Sequence, residues 1–250
     1  MIFYFSATGN CKYVAERIAV EFNDVAVSIE QSDGIITLKE NEMLGFVAPV
    51  NWWELPVLMR EFLNNLCICG TKPSYSYIVI TYGTTPGCTF VDAKKILLAK
   101  NIDLVAGFSV QMPDNWTPIF DLSNPDKVRK QNEEAEKYID DVLQGIKHRK
   151  EGNQMQKVMP YAVRLITDSL LNYERKTKNF YVEDTCIGCG FCAERCPVQA
   201  IEIKDKKPVW VKNQCALCLR CLHHCPKFAI QYGNGKTKQH GQYKNPHTKV

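Results

Sequence analysis

Eight of the chain's twelve cysteines fall between Cys186 and Cys225, in two runs of identical spacing. Cys186, Cys189, Cys192 and Cys196 recur as Cys215, Cys218, Cys221 and Cys225, each displaced by 29 residues. Pro197, Ala200 and Ile201 recur in step as Pro226, Ala229 and Ile230. Each run reads C-x2-C-x2-C-x3-C-P. Three thiolates spaced by two residues let one tight loop wrap three corners of an iron–sulfur cube. The fourth, followed by proline, turns away and ligates the other cube. The spacing therefore predicts two [4Fe–4S] clusters with crossed ligands. One takes Cys186, Cys189, Cys192 and Cys225; the other takes Cys215, Cys218, Cys221 and Cys196. Structural zinc is the alternative, but it usually draws two C-x2-C pairs from distant segments onto one tetrahedral ion. Consecutive triplets suit it poorly. Crowded cysteines without a secretion signal point to metal in a reducing compartment rather than to disulfides.

A second constellation opens the chain. After an apolar start comes Ser6-Ala7-Thr8-Gly9-Asn10-Cys11, leading into a helical pattern. A hydroxyl- and glycine-rich loop at a helix N-terminus offers main-chain N–H groups and the positive end of a dipole to a phosphate. The Ser6 and Thr8 hydroxyls and the Asn10 amide add donors. Neither G-x-x-x-x-G-K-[ST] nor G-x-G-x-x-G occurs, which argues against a nucleotide triphosphatase and a dinucleotide site. The bland counterpart is an ordinary strand–helix turn.

The elements that must position these residues follow from periodicity. Apolar, β-type runs occur at 2–6, 25–29, 44–50, 77–82 and 104–111, with helical patterns at about 10–22, 55–66, 88–100 and 125–145. Strand–helix alternation with short apolar strands predicts a parallel sheet covered on both faces. Five strands suit the doubly wound order 2-1-3-4-5, and ligands sit at the carboxyl ends of such strands. The loops Pro49-Val50-Asn51-Trp52-Trp53 and Thr81-Tyr82-Gly83-Thr84-Thr85-Pro86-Gly87 would therefore join the phosphate loop in one site. Met112-Pro113-Asp114-Asn115-Trp116-Thr117-Pro118 is long and proline-marked. It reads either as a lid or binding surface, facing those loops or the clusters, or as a rigid surface loop.

The opening loop resembles the flavodoxin signature S/T-x-T-G-N-T/S, and the cysteine repeat resembles bacterial two-cluster ferredoxins. Together the chain is similar to the bacterial flavodoxin–ferredoxin fusions, the EFR-type ferredoxins, over about residues 1–145 and 180–232. The resemblance implies an α/β flavodoxin-like doubly wound parallel sheet followed by a small α+β ferredoxin-like domain with two [4Fe–4S] clusters. It implies FMN as a further cofactor. Ser6, Ala7, Thr8, Gly9, Asn10 and Cys11 would hold its phosphate. Pro49, Val50, Asn51, Trp52, Trp53, Thr81, Tyr82, Gly83, Thr84 and Gly87 would surround its ring, with Trp52 or Trp53 against one face and Tyr82 against the other. Cys11 departs from the signature, which has Thr or Ser there. A thiol is a weak donor, so a weaker phosphate contact is expected.

The expected domains are 1–145, binding FMN; 146–179, a linker and connecting helix; 180–232, holding the clusters; and 233–250, a mobile basic tail. The connecting helix carries apolar spacing at Val163, Ile166, Leu170 and Tyr173. Trp210 and Tyr232 read as core, His223 and His224 as exposed, and Cys67, Cys69 and Cys88 as simply buried. Residues 1–145 hold 12 Lys/Arg against 19 Asp/Glu, and residues 146–250 hold 19 against 8. The halves should attract each other, or the basic half should favour an acidic redox partner protein. The basic excess is diffuse and lacks aromatic interleaving, so nucleic acid is not expected. No apolar run approaches the ~20 residues that span a bilayer. The N-terminus has no basic n-region, so a cytoplasmic location is expected.

These features make electron transfer between the clusters and FMN the leading expectation. A flavin-dependent reductase fed by its own ferredoxin domain is the second, with Tyr82, Asn115 and Glu54 as conceivable proton donors. A redox or iron sensor is the third and has no specific support.

Overall fold

The computed structural model describes residues 1–249, apart from the side chains at 164–166 and 168. The N-terminal region runs β1 (Ile2–Tyr4), α1 (Asn10–Glu21), β2 (Ala26–Ser28), β3 (Ile35–Leu38), β4 (Met43–Pro49), α2 (Val57–Asn65), β5 (Cys67–Gly70), β6 (Tyr75–Tyr82), α3 (Thr89–Leu98), β7 (Ala106–Gln111), α4 (Pro125–Lys147) and β8 (Gly152–Asn153). The main sheet is parallel, in the order β2-β1-β4-β6-β7-β8. Its first five strands reproduce the expected doubly wound order. β6 is buried along its whole length. Successive residues of a strand point to opposite faces. Ile78 and Ile80 accordingly join one core with Leu63 and Leu97 of α2 and α3. Tyr77 and Val79 join the other with Val14 and Ile18 of α1 and Ile139 and Val142 of α4. Asn124 caps α4 by accepting from the Asp126 and Lys127 N–H groups, and Pro125 occupies its first turn.

Two parts of this region differ from the sequence expectation. β3 and β5 form a separate parallel pair beside the main sheet, leaving Cys67 and Cys69 exposed rather than buried. The segment read as a linker supplies β8, which pairs with β7.

The C-terminal region runs α5 (Arg164–Glu174), β9 (Phe180–Val182), α6 (Phe191–Glu194), β10 (Ile201–Lys204), β11 (Lys207–Trp210), α7 (Arg220–His223), β12 (Ile230–Tyr232) and α8 (Lys236–His240). β9 pairs antiparallel with β12 and β10 with β11. α6 and α7 occupy equivalent places in the two cysteine repeats. The core joins Leu171, Phe180, Ile201, Leu222 and Tyr232, with Trp210 against it. The connecting helix exists as α5, but Leu170 and Tyr173 of its expected apolar face are exposed, while Thr167 and Leu171 are buried. Ile166 lies outside the described side chains.

The tail is the clearest correction. Residues 233–249 form α8 and then a packed segment rather than a mobile end. Tyr243 is buried, and its one hydroxyl proton is shared between Asn10 Oδ1 at 2.7 Å and Asn132 Oδ1 at 2.8 Å. Asn245 donates its main-chain N–H to the Thr8 carbonyl at 2.7 Å. A segment poor in apolar residues is held by hydrogen bonds instead. His223 and His224 are likewise buried, not exposed. His223 Nε2 donates to the Asn115 carbonyl at 2.9 Å and its Nδ1 accepts the Tyr243 N–H at 3.1 Å. His224 Nε2 donates to the Ala7 carbonyl at 3.0 Å. Burial lowers both their pKa values, His223 to about 4, so both are neutral rings. Among the described residues, no helix is long and apolar enough to cross a membrane.

Candidate functional site

The eight repeat cysteines are gathered round two cavities. Cys186, Cys189, Cys192 and Cys225 line one. Cys196, Cys215, Cys218 and Cys221 line the other. The fourth cysteine of each repeat thus stands with the first three of its partner repeat. Two features produce this. Left-handed residues, Gly190 and Leu219, start the short helices α6 and α7 and turn the cysteine loops inward. Main-chain N–H groups then face the sulfurs. Ala200 donates to Cys196 Sγ at 3.2 Å, and its repeat mate Ala229 donates to Cys225 Sγ at 3.2 Å. Leu217 donates to Cys215 Sγ at 3.3 Å.

A donor set of sulfur alone, among Ile187, Pro208 and Ile230 in one cavity and Ala200, Ile201 and Trp210 in the other, fits iron–sulfur cubes. Among the described residues, no three His, Cys, Asp or Glu side chains converge tightly enough for a single metal ion. Thiols spread round a cube need not converge, so that finding and the cysteine-lined cavities are compatible. Burial pushes the Cys192 thiol up to about 11 and Cys215 to about 12, so without iron both are neutral and iron must displace their protons.

A third cavity, of about 240 Å³, opens at the carboxyl ends of β1, β4 and β6. Of the sixteen residues expected to hold FMN, Ser6, Ala7, Thr8, Asn10, Cys11, Pro49, Val50, Asn51, Trp52, Trp53, Thr81, Tyr82, Gly83 and Thr84 line it. Gly9 and Gly87 do not. They act on the backbone instead. Gly9 adopts φ 106° at the start of α1 and donates its N–H to the Ser6 hydroxyl at 3.1 Å. Gly87 has φ +65°, and a Cβ there would lie 2.0 Å from the Trp53 carbonyl. That contact supports a strained turn, because Trp52 and Trp53 both adopt left-handed φ, 48° and 64°. Asn51 and Glu54 close the turn with reciprocal main-chain hydrogen bonds of 2.9 and 3.1 Å.

Hydroxyls and a helix N-terminus at one end, with three tryptophans and Tyr82 along the walls, fit a phosphate joined to a flat ring. Cys11 is buried, its Sγ 3.1 Å from Thr81 Oγ1, and burial pushes its thiol up to about 12. The Asn10 carboxamide oxygen accepts from Tyr243 and Asn245, and its Nδ2 donates to the Pro113 carbonyl at 3.4 Å.

Two further walls complete the cavity. Residues 112–116, from the loop read as a lid or binding surface, form one. Asn115 donates to the Thr8 hydroxyl at 2.7 Å, and Trp116 packs edge-on against both Trp52 and Tyr232. Asp114 also lines it, and burial raises its carboxyl to about 6. Ala216, Leu217, Cys218 and Leu219 form the other wall. Nothing local in the sequence tells a cluster loop that it also faces the flavin loops. The opposite charges of the two halves hinted only that they would dock.

These features define an α/β flavodoxin-like protein with a ferredoxin-like domain docked on its ligand edge. Residues 1–141 match the flavodoxin domain model, so the chain belongs to that family, and residues 185–239 match the 4Fe-4S dicluster domain model. No curated protein matches the chain. Among solved structures, rubredoxin oxygen:oxidoreductase from the anaerobe Desulfovibrio gigas is similar to it at 11% identity and a TM-score of 0.33, over 58% of this chain. The chain spans 35% of that protein's length.

Proposed function

We propose that this chain passes electrons between two [4Fe–4S] clusters and FMN within one polypeptide, in the domain order of the EFR-type fusions. The observation that carries the reading is a shared loop. Ala216, Cys218 and Leu219 line both the flavin cavity and the cavity of Cys196, Cys215, Cys218 and Cys221. When bound, the cubes exchange single electrons and FMN takes one or two.

The chain's own residues do the rest. The crossed cysteines hold two cubes in one domain. Thr8, Asn115 and the start of α1 fix the phosphate end of the flavin. Leu219, buried and lining both cavities, excludes water between the two centres. The outer face is at Cys189, which is exposed beside an exposed Ile187. The exposed Lys206 and Lys227 border it. A basic rim around an apolar centre suits an acidic one-electron carrier protein as partner.

Anaerobic purification with metal and flavin analysis tests the reading. Two clusters and one FMN per chain, about eight irons, with flavin reduced through the clusters by a one-electron carrier, are expected. Stoichiometric clusters without flavin after reconstitution would contradict it. Asp114 supports a second reading, a flavin-dependent reductase, because a carboxyl near 6 in the cavity can deliver a proton at neutral pH. Steady oxidation of the reduced protein by a small substrate, lost in Asp114→Asn, would favour that reading.

A further inference from the structure

The two halves of the cysteine repeat differ at one place that matters for electrons. Arg220, between Cys218 and Cys221, corresponds to Phe191, between Cys189 and Cys192. Phe191 stacks on His224, with ring centroids 5.9 Å apart. Phe191 and Arg220 each line their own cysteine cavity, one with an apolar ring and the other with a guanidinium, and Arg220 is 8% exposed.

Four of its hydrogen bonds are accounted for. Nη1 donates to Glu30 Oε1 at 2.7 Å and the Arg195 carbonyl at 3.1 Å. Nη2 donates to Glu30 Oε2 at 2.6 Å and the Ser6 carbonyl at 2.9 Å. The Nε–H is buried and has no partner among protein atoms. Buried donors are nearly always satisfied, so an unpartnered one needs an explanation. The adjoining cavity is lined by sulfur, and its cube would bring sulfur acceptors to that N–H.

We propose that Arg220 raises the reduction potential of the cube held by Cys196, Cys215, Cys218 and Cys221 above that of its repeat mate, so that electrons run inward toward the flavin cavity. The proposal rests on the electron-transfer reading above. Reduction adds one negative charge to a cube. A buried guanidinium beside the cube stabilises that charge, and a hydrogen bond from its unpartnered N–H to sulfur adds to it. Glu30 pairs with the guanidinium but does not line the cavity, so it offsets the effect only in part. In the transfer step one electron leaves the cube at Cys186, Cys189, Cys192 and Cys225, which is oxidised. It enters the cube beside Arg220, which is reduced. No proton moves, and the outer cube is refilled by a one-electron carrier or, in the test, by dithionite.

Anaerobic potentiometric titration of the loaded protein, followed by electron paramagnetic resonance, tests this. The wild type should show two cluster waves at unequal potentials. Arg220→Gln should lower only the higher wave, by a factor of ten or more in its reduction equilibrium, which is 59 mV for one electron. Arg220→Lys should restore part of the loss, since it keeps the charge without the fork. Glu30→Gln should move the same wave the other way, and it carries the test if Arg220→Gln fails to assemble. Iron and FMN content measured alongside separate the two claims. Full loading with equal waves, no shift, joint movement of both waves, or a lowering in Glu30→Gln overturns the role of Arg220. A wild-type chain that cannot be loaded overturns the relay itself.

Discussion

Asn115 spans the junction of the two regions: its carboxamide donates to the Thr8 hydroxyl at 2.7 Å while its carbonyl accepts His223 Nε2 at 2.9 Å. One residue of the 112–118 loop therefore ties the phosphate loop to the cluster domain. Asn115→Ala should weaken FMN binding about fivefold to tenfold, roughly 1 kcal/mol for one hydrogen bond. Cluster absorbance should stay unchanged. Fluorescence titration of flavin-depleted protein measures the first and visible spectroscopy the second.

The buried Tyr243 hydroxyl shares its one proton between the Asn10 and Asn132 carboxamide oxygens. Tyr243→Phe leaves the buried Asn132 carboxamide oxygen without a donor, while Asn10 Oδ1 keeps the Asn245 amide, and should cost about 1–3 kcal/mol. Denaturant unfolding of the loaded protein checks the loss. An effect below about 0.5 kcal/mol would mean that the tail does not pack as described.

Asp114 sets a pH dependence. Its pKa is raised to about 6 by burial in the flavin cavity. The raised value means that the folded site holds the proton more tightly than an exposed carboxyl does. A flavin that buries the group further favours the neutral form. FMN affinity should therefore be fully present below about pH 5 and fall as pH rises through 6. The phosphate of FMN also titrates near pH 6, so the informative quantity is wild type minus Asp114→Asn. That difference should grow from near zero at pH 5 to a few-fold at pH 7.5.

The four cysteines outside the repeat should separate by reactivity. Cys67 and Cys69 are exposed, whereas Cys11 and Cys88 are buried and Cys11 is raised to about 12. Thiolate is the reactive form. Iodoacetamide at pH 8 should label Cys67 and Cys69 in the loaded protein and leave Cys11 and Cys88 untouched, as read by peptide mass spectrometry.

The main sheet was legible because β4 and β6 are buried on both faces and read as continuous apolar runs. β3 and β5 lacked that signal. Ile35 is 63% exposed, and only alternate positions of β3 face the core. The cysteine sets were legible because their spacing is local chemistry. The packed tail and the buried histidines were not, since Tyr243, His223 and His224 are held by polar partners far away in sequence. The second wall of the flavin cavity was hidden for the same reason: Cys218 reaches the flavin loops only through tertiary docking.

The most direct test is a crystal structure of the anaerobically loaded protein, with iron located by anomalous scattering. The flavin ring should lie in the cavity walled by Trp52, Tyr82 and the 216–219 loop, nearer to the cube of Cys196, Cys215, Cys218 and Cys221 than to its mate. A flavin bound elsewhere, or nearer to the cube of Cys186, Cys189, Cys192 and Cys225, would contradict the relay.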